Sequence, residues 1–434
     1  MQYALVILDG ASGNAVADFA GRTTLEESST PHLDKLAQTG MVGLVQNVPA
    51  HMASGSDVAC LSLMGYDPAR YQLGRGAIEA AALGIELTPT QIAFRMNLCS
   101  VEAGIMKSYS TNNISTEEAA SLVRELKSAL DNDTFTLHAG TSFRQVLVME
   151  GNPEALALTY ETPHDNTDLD IADAFKPKVP AQGATHNDAA LPQAAPAQAA
   201  PAQAAQATQV TQAAQKVADL LVDYMLTANE ILAKSPINAQ RISEGKMPAN
   251  QAWVFWPGTK PTALQPFAEV YGKSAALNSA VDLLVGLAHM TGMKVYRFEG
   301  VTDGPNNDFA AQGKGAIAML EEGNEVVIIH VEAPDAAGHD GCSAQKKNAI
   351  EQSDRHIIAP LMKYAKTHPL RIAVMPDHPT PLATRKHGRE AVPFVMAGSG
   401  IAHNKASRMT EVQAQATNTL FDPGYAFMKE AFLR

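Results

Sequence analysis

Four short runs of apolar residues stand out along the chain, and each is nearly continuous rather than alternating. The runs are YALVIL, EVVIIHV, RIAVM and VPFVMAG, and they begin at Tyr3, Glu325, Arg371 and Val392. Continuous runs of this length are typical of strands that are buried on both faces of a parallel sheet. Amphipathic helical patterns lie between them and begin at Ser279, Gly315 and Ala349. The alternation of strands and helices predicts an α/β core.

The middle of the chain has a different residue pattern and a low-complexity repeat. Ser115 with Glu118 three residues later predicts a helix that begins with a capping box, and strands are expected from Ser142 and from Ala155. A Pro/Ala/Gln repeat then runs from Pro192 to Gln215, with a helix expected to resume near its end. This repeat has too little apolar surface to offset its ordering entropy, which predicts a disordered linker, with a partner-binding segment as the alternative.

The difference between the ends and the middle of the chain predicts a core that is split in sequence by an inserted domain. We expect residues 1–76 and 253–434 to form the core, and residues 77–252 to form a smaller α/β domain that includes the linker at 185–215. The fold class predicted is therefore α/β, with a mostly parallel sheet and a smaller inserted α/β domain. The chain of 434 residues is long enough for both parts.

Composition and charge narrow the classes of partner. The net charge of −12 argues against a nucleic acid or an anionic membrane as the partner, because both need an exposed basic surface. No apolar run is long enough to cross a membrane, and the N-terminus lacks the basic region of a signal peptide. The three cysteines have neither paired nor metal-type spacing, so we expect reduced thiols in a cytoplasmic protein.

Acidic and histidine side chains follow the predicted strands. Asp9 follows the first run, Asp335 and His339 follow the second around an expected tight turn, and Asp377 and His378 follow the third. His387 lies between the last two runs. Loops that follow parallel strands lie along one edge of the sheet, so these groups should converge. Any one of them, Asp335 for example, could simply be a loop or capping residue. The whole set suits two divalent metal ions with mixed oxygen and nitrogen ligands, of the kind that clamp a phosphoryl group.

Ser56 is the candidate nucleophile. It follows Gly55 and precedes an amphipathic stretch, which places its hydroxyl at the start of a helix, where an anion is favoured. A metal-bound serine hydroxyl would be activated by a lowered pKa. The competing interpretation is a plain N-cap serine.

Nine segments of the chain are informative as motifs: VILDG, GSDVACLSLMGYDP, GRGAIEAAALGIEL, IAFRMNL, GTSFRQVLVM, TPHD, MPANQAWVFWPGTKP, HVEAPDAAGHDG and PDHPTP. Together they resemble the archaeal-type cofactor-independent phosphoglycerate mutases of the alkaline phosphatase superfamily. The resemblance covers nearly the whole chain outside the Pro/Ala/Gln repeat. The chain differs in having Asn113 where an arginine is usual and HMASGS before the helix where the family often reads Gly-Asp-Pro-Gly-Ser.

The resemblance implies roles for individual residues. One metal site would comprise Asp9, Ser56, Asp377 and His378, and a second Asp335, His339 and His387. Mn²⁺ is the expected ion, with Mg²⁺, Co²⁺ or Zn²⁺ as alternatives, and no 2,3-bisphosphoglycerate is expected as a cofactor. Lys273 would bridge the nucleophile and the substrate. Substrate contacts are expected from Arg75, Arg95, Arg144, His164, Asp165 and Arg241, although a lone arginine is more often a solvated surface charge.

The resemblance implies an isomerase that interconverts 3-phosphoglycerate and 2-phosphoglycerate through a phosphoserine at Ser56. Three alternatives stay open: transfer of the phosphoryl group to another small hydroxy acid such as homoserine, simple phosphomonoester hydrolysis, and a catalytically dead metal-binding scaffold. The sequence leaves the oligomeric state open.

Overall fold

The computed structural model describes residues 1–71, 73–180, 201–261 and 263–434, and for residues 201–210 it describes the backbone alone. The strands are β1 Gln2–Leu8, β2 Met41–Val45, β3 Gln91–Glu102, β4 Ile105–Ser108, β5 Phe135–His138, β6 Arg144–Glu150, β7 Gln251–Thr259, β8 Ala275–Asn278, β9 Lys294–Tyr296, β10 Val326–Val331, β11 Leu370–Met375, β12 Val392–Ala397 and β13 Leu420–Phe421. The α-helices are α1 Thr24–Glu27, α2 Pro31–Thr39, α3 Ser56–Leu63, α4 Pro68–Tyr71, α5 Arg75–Ala82, α6 Thr116–Leu130, α7 Pro201–Lys234, α8 Pro236–Ser243, α9 Phe267–Tyr271, α10 Asp282–Met290, α11 Phe309–Glu321, α12 Ala333–Asp340, α13 Ser343–Ser353, α14 Ala359–Tyr364 and α15 Glu411–Ala416.

The described chain divides into two compact units. The first comprises Met1–Tyr71 and Ala263–Arg434, and the second comprises Gln72–Thr262. The first unit contains an eight-stranded sheet in the order β13-β2-β12-β11-β1-β10-β8-β9. Only β12 is antiparallel to its neighbours, β11 and β2, and the other pairings are parallel. The predicted mostly parallel α/β core is therefore confirmed.

The three central strands explain why the candidate ligands converge. β1 lies between β10 and β11, with Leu8 opposite Val331 and Ile7 opposite Met375. All three strands are buried along their length, as the continuous apolar runs predict. Because the strands are parallel and in register, the residues that follow them emerge together at the carboxyl edge of the sheet.

The second unit is built on a five-stranded antiparallel sheet. Its strands run β4-β3-β6-β5, and β7 pairs with β3 on the other side. Helices α6 and α7 bury Leu122 and Leu221 in the same apolar core as Trp253 of β7. Residues 253–259, which the sequence analysis assigned to the core, therefore belong to this unit, because β7 completes the sheet of β3.

Two local predictions were wrong. Helix α7 begins at Pro201, so about half of the segment expected as a linker, residues 201–215, is helical, while residues 185–200 lie outside the described residues. The strand expected from Ala155 is instead a short 3-10 turn, Pro153–Ala157, followed by a single bridge between Thr159 and Lys178. The helix capped by Ser115 is confirmed, because the Ser115 side chain accepts a hydrogen bond from the Glu118 amide. Among the described helices, none combines the length and the apolar character needed to cross a membrane.

Candidate metal centre

The first group of candidate ligands comprises Asp9, Asp377 and His378. We call it the Ser56 set because the Ser56 hydroxyl lies against His378. His378 Nε2 lies 3.3 Å from Asp377 Oδ2 and 3.7 Å from Asp9 Oδ1. All three side chains are fully buried, at the carboxyl ends of β1 and β11. Asp377 is oriented by the amides of Gly10 and His378, which donate to its Oδ1 at 3.1 and 2.7 Å. The set therefore offers two carboxylates and one imidazole to a common point.

Gly10 is required at the turn that follows Asp9. Its φ is +59°, in the left-handed region that glycine adopts without strain. A Cβ atom at this position would lie 2.3 Å from Asp335 Oδ1 and 2.6 Å from the Thr380 hydroxyl. The turn can approach the other ligands only because residue 10 has no side chain.

The second group, which we call the Asp335 set, comprises Asp335, His339 and His387. Asp335 Oδ2 lies 3.1 Å from His339 Nε2, and Oδ1 lies 3.7 Å from His387 Nε2. The two Nε2 atoms are 2.8 Å apart. His339 Nδ1 donates to the carbonyl oxygen of Arg385 at 2.9 Å, which leaves Nε2 as the ligand atom.

Asp335 and His339 lie on a helix rather than on either side of the tight turn expected from the sequence. Helix α12 carries Asp335 in its first turn and His339 in its last, and Gly341 ends the helix in the left-handed conformation. Residues four apart on a helix lie on the same face. The helix therefore brings Asp335 and His339 together, as a tight turn was expected to do.

The two sets adjoin each other. The rings of His378 and His387 stack with centroids 4.0 Å apart. Thr380 contacts both sets, because its hydroxyl donates to Asp335 Oδ1 at 2.5 Å and lies 3.3 Å from His378 Nδ1. The sequence analysis missed Thr380, although it lies within the PDHPTP segment.

Lys346 links the loops around the two sets. Its fully buried ammonium donates to the carbonyl oxygens of Thr380 and Ser12 at 2.6 and 3.2 Å. Burial lowers its pKa to about 8. Lys346 therefore holds the loop after β1 against the loop after β11, and the sequence offered no signal for this role.

The buried carboxylates of the site need cations to balance their negative charge. Burial, with the nearby charges of Asp377 and Glu332, raises the pKa of Asp9 well above its usual value. Asp9 Oδ1 is also buried, and no described residue donates a hydrogen bond to it. Burial would raise the pKa of Asp335 too, but the hydrogen bond from His339 and the nearby imidazole of His387 hold it below its usual range. Buried carboxylates gathered in this way are stable only when paired or bound to metal, so the residues present fit two divalent ions.

Ser56 is the first residue of α3, as the sequence predicts. Its Oγ lies 3.2 Å from His378 Nε2, which places the hydroxyl against the Ser56 set. The residue before it, Gly55, is the N-cap, and its backbone is extended. A plain N-cap serine would occupy that preceding position. The hydroxyl lies instead at the positive end of the helix, beside the candidate metal ligands.

Two further polar residues near Asp9 were missed. His330 Nε2 lies 2.8 Å from Asp9 Oδ2, and the Glu332 carboxylate lies 3.7 Å from the same nitrogen. Asp9, His330 and Glu332 form a third group whose ligand atoms lie within 4.8 Å of one another. The available signal was a histidine inside the otherwise apolar run VVIIHV.

Lys273 does not lie at this site. Its ammonium is 3.4 Å from Glu325 Oε1 and 5.4 Å from the centroid of the Tyr3 ring. Glu325 and Tyr3 are at the amino ends of β10 and β1, the edge of the sheet opposite the metal ligands. The expected role of Lys273 as a bridge to the nucleophile is therefore corrected. The motif indicated a lysine near a strand but not which end of the strand it faces.

The second unit contains a basic cluster formed by Arg75, Arg95, Arg144 and His164. The charges of Arg144 and Arg75 act on Arg95, whose pKa is lowered mainly by burial. Burial, together with the charges of Arg95 and Arg75, also lowers the pKa of His164. Arg95 donates to Glu79 and Asn97, each at 3.0 Å, and these bonds use two of its five N–H groups.

Trp256 is the aromatic floor of the basic cluster and was missed by the sequence analysis. The guanidinium carbons of Arg75 and Arg95 lie 4.3 and 5.4 Å from the centroid of the indole. The His164 ring meets the indole edge-on at 5.8 Å. Asp165 lies beside His164, but its side chain is 75% exposed and is hydrogen-bonded to Thr162.

Arg241 serves the fold of the second unit. Its buried guanidinium donates to Glu118 Oε2 at 2.6 Å and to the carbonyl oxygens of Met247 and Thr111 at 2.9 and 3.4 Å. These bonds join α8 to α6, and they occupy the guanidinium that was expected to contact substrate. The assignment of Arg241 to substrate binding is therefore corrected.

Comparisons with known proteins identify the family of the chain. A family profile described as 2,3-bisphosphoglycerate-independent phosphoglycerate mutase matches residues 37–238. The chain is 36% identical over 398 residues to the Methanosarcina barkeri protein of that name, covering 91% of this chain and 90% of the relative. It is 31% identical over 435 residues to a Geobacter sulfurreducens protein named as a probable mutase of the same kind, covering 99% of each chain.

Solved structures support the same fold. A Pyrococcus horikoshii protein superimposes with a TM-score of 0.76 at 27% identity, over 100% of this chain and 97% of that one. The cofactor-independent phosphoglycerate mutase of Thermoplasma acidophilum superimposes with a TM-score of 0.63 at 21% identity, over 99% of each chain. Because these relatives are more than 30% identical over nearly the whole chain, the chain belongs to the 2,3-bisphosphoglycerate-independent phosphoglycerate mutase family, whose members are isomerases.

Proposed function

We propose that this chain interconverts 3-phosphoglycerate and 2-phosphoglycerate, with Ser56 carrying the phosphoryl group between the two hydroxyls of glycerate. The observation that carries the proposal is the Ser56 hydroxyl at the start of α3, 3.2 Å from His378 Nε2 and beside two sets of metal-type ligands, of which the Ser56 set is fully buried. The names of the relatives support this substrate pair.

The Ser56 set, with Ser56 itself, would hold one divalent ion, and the Asp335 set would hold the other. Mn²⁺ is the ion we expect, because carboxylate and imidazole ligands without a thiolate suit it. When bound, such ions neutralise the phosphoryl oxygens and lower the pKa of a coordinated hydroxyl. Thr380 and the Arg385 carbonyl orient Asp335 and His339 for this purpose.

The role of Ser56 follows from its position. Its Oγ attacks the phosphorus of the bound phosphoglycerate, the bond from phosphorus to the substrate oxygen breaks, and that oxygen takes up a proton as the serine loses one. The resulting phosphoserine is attacked by the other hydroxyl of the same glycerate, which reverses the proton changes and restores the free serine. The amino end of α3 stabilises the negative charge that Ser56 acquires.

The basic cluster of the second unit would bind the anionic groups of the substrate. Guanidinium groups bind carboxylates and phosphates through paired charge-assisted hydrogen bonds. In this cluster, three guanidiniums and an imidazole are accompanied by the carboxylates of Glu79 and Asp165, so positive charge is still in excess. That excess suits a small acid with more than one negative charge.

The test is a mutase assay in which 2-phosphoglycerate formed from 3-phosphoglycerate is consumed by enolase, with Mn²⁺ or Mg²⁺ supplied to metal-depleted protein. We expect turnover by the wild type and a loss of at least about a thousandfold in Ser56→Ala, about 4 kcal/mol of transition-state stabilisation. Ser62→Ala is the matched control, because this serine lies on the same helix and its buried hydroxyl has no hydrogen-bond partner in the described part of the chain. Its activity should equal that of the wild type.

Two results would contradict the proposal. Robust phosphoryl transfer to homoserine with negligible 2-phosphoglycerate would leave Ser56 as nucleophile and change the acceptor. Release of inorganic phosphate as the main product would indicate a phosphomonoesterase.

A further inference from the structure

His330 is the one titratable residue of β10, which is apolar at its other positions. It lies in the centre of the large sheet and is 1% exposed. Neither proposed metal set includes it. Burying a polar side chain in such a strand costs free energy unless each of its polar atoms has a hydrogen-bond partner. The partners of His330 therefore show what its ring does there.

A directed chain of hydrogen bonds passes through the His330 ring. The Val281 amide donates to Ser279 Oγ at 3.0 Å, and Ser279 Oγ lies 3.0 Å from His330 Nδ1. His330 Nε2 lies 2.8 Å from Asp9 Oδ2. When Asp9 is ionised, as a metal ligand must be, its carboxylate can only accept, so Nε2 carries the proton, and Nδ1 of the neutral ring accepts from the serine hydroxyl. The Asp9 carboxylate at the end of the chain of bonds thus sets the direction of both bonds made by the ring.

The backbone of His330 is also fixed. Gln312 Nε2 donates to the His330 carbonyl oxygen at 2.7 Å and to Asn278 Oδ1 at 3.0 Å. Gln312 is held in turn by Asn307, whose Nδ2 donates to Gln312 Oε1 at 2.9 Å. All of these side chains are buried. The ring therefore has little freedom to rotate or to shift along the strand.

This arrangement makes the two oxygens of Asp9 different. Oδ2 accepts the hydrogen bond from His330, whereas Oδ1 is buried without a hydrogen-bond donor among the described residues and faces His378 Nε2 at 3.7 Å. We propose that His330, oriented by Ser279, is a positioning residue that turns Oδ1 of Asp9 toward the metal ion of the Ser56 set. The inference rests on the two-metal site of the proposed function and identifies what orients one of its ligands.

A direct role as a ligand is the competing interpretation, since Asp9, His330 and Glu332 are close enough to share an ion. The hydrogen bonds argue against it, because both ring nitrogens are already engaged, one by Ser279 and one by Asp9. Ligand and positioning roles differ in what removal of the ring does. Loss of a ligand removes an ion, whereas loss of a residue that orients a ligand weakens its binding, typically tenfold to a hundredfold.

The experiment titrates metal-depleted protein with Mn²⁺ by calorimetry and measures stoichiometry and affinity without any substrate. The variants are His330→Leu, His330→Gln and Ser279→Ala. Glutamine can place its amide nitrogen near the position of Nε2 and so can restore the bond to Asp9. Ser353→Ala is the matched control, since it too removes a buried serine hydroxyl, but one that lies on helix α13 and donates to the Ala349 carbonyl oxygen at 2.8 Å. His339→Ala serves as the reference for loss of a proposed ligand.

We expect two equivalents of Mn²⁺ in the wild type and two in each His330 and Ser279 variant. In His330→Leu, the affinity of one site should fall about tenfold to a hundredfold, and His330→Gln should recover most of that loss. Ser279→Ala should show a smaller loss, and Ser353→Ala none. If His330→Leu does not fold, the glutamine and Ser279 variants carry the test.

Unchanged affinity in the folded His330 and Ser279 variants would overturn the inference. Loss of one full equivalent, as expected for His339→Ala, would also overturn it and would make His330 a ligand. A wild-type chain that binds no Mn²⁺ would overturn the two-metal site itself, and the inference with it.

Discussion

Trp256 is a bulky residue in a backbone conformation that bulky residues rarely adopt. Its φ of 49° lies in the left-handed region, which costs about 1–3 kcal/mol for a residue other than glycine. The strain coincides with an irregularity of β7, where its pairing with β3 shifts between Ala93 and Arg95. The outcome is an indole placed against two guanidiniums, Arg75 and Arg95. The position and its cost together suggest a role in substrate binding.

Replacement of Trp256 by alanine should raise KM for 3-phosphoglycerate by about tenfold. Each cation–π contact contributes about 0.5–2 kcal/mol, and about 1.4 kcal/mol corresponds to a factor of ten. Mn²⁺ binding, measured by calorimetry, should not change, because the proposed ligands are all in the first unit. Trp256→Phe keeps an aromatic face and should show a smaller increase. An unaltered KM in Trp256→Ala would remove the indole from the proposed binding site.

At the level of single residues, the sequence could indicate ligands that follow strands but not the groups that orient them. Asp9, Asp335 and Asp377 were identifiable because each comes after an apolar run. Thr380 and Lys346 act through hydrogen bonds between distant segments, and such contacts leave no local pattern. Lys273 was misplaced for a related reason, since its partners become visible only once β1 and β10 are paired.

Elements with a strong apolar pattern in the sequence were predicted well, and elements defined by tertiary contacts were not. The apolar runs correspond to β1, β10, β11 and β12, yet no run could reveal that β12 is antiparallel to its neighbours. The helix α12 was expected as a turn because it spans eight residues and includes proline and glycine, which are poor helix formers. Helix α7 buries Leu221 and Met225 at full depth, and its extension before Gln215 consists largely of alanine and glutamine, which are good helix formers.

The contact between α6 and α8 gives a pH-dependent contribution to stability. Although burial opposes it, the charge of Arg241 lowers the pKa of Glu118 in the folded chain. A carboxyl with a depressed folded pKa stabilises the fold above its unfolded pKa, near 4.5, and that stabilisation is lost as the pH falls through the folded pKa.

The free energy of unfolding of Glu118→Gln should therefore be lower than that of the wild type at pH 7, and the difference should shrink as the pH falls below about 4.5. Urea titrations at a series of pH values measure it. Glu117→Gln is the control, because Glu117 is its exposed neighbour in the first turn of α6. A difference that stays constant with pH would mean that the ion pair does not cause it.

For the molecule as a whole, the candidate metal centre concentrates unfavourable charge inside the first unit. Asp9, Asp335 and Asp377 are almost fully buried, and the pKa of Glu332 is raised by burial and by the charge of Asp335. Charges of this kind reduce stability unless cations accompany them. The chain should therefore depend on its metal ions for stability as well as for activity.

Removal of metal with a chelator should lower the unfolding temperature, and Mn²⁺ should restore it. At a free concentration one hundred times the dissociation constant, one bound ion stabilises the fold by about 2.7 kcal/mol. Scanning calorimetry at constant ionic strength, with K⁺ as the control cation, measures the shift. Asp335→Asn, which removes one negative charge, should be less sensitive to the chelator. Equal unfolding temperatures with and without Mn²⁺ would contradict this interpretation.

The division of the first unit between the two ends of the chain has a consequence for synthesis. The second unit is one continuous stretch, Gln72–Thr262, whereas β1 must wait for β10, whose residue opposite Leu8 is Val331. At about 5–20 residues per second, a ribosome takes roughly 15–65 s to make the residues between them. During that interval, we expect the second unit to fold while one of the most apolar strands of the protein remains unpaired. The nascent first unit is then the part of the chain that most needs protection from aggregation, and molecular chaperones should bind it near its N-terminus.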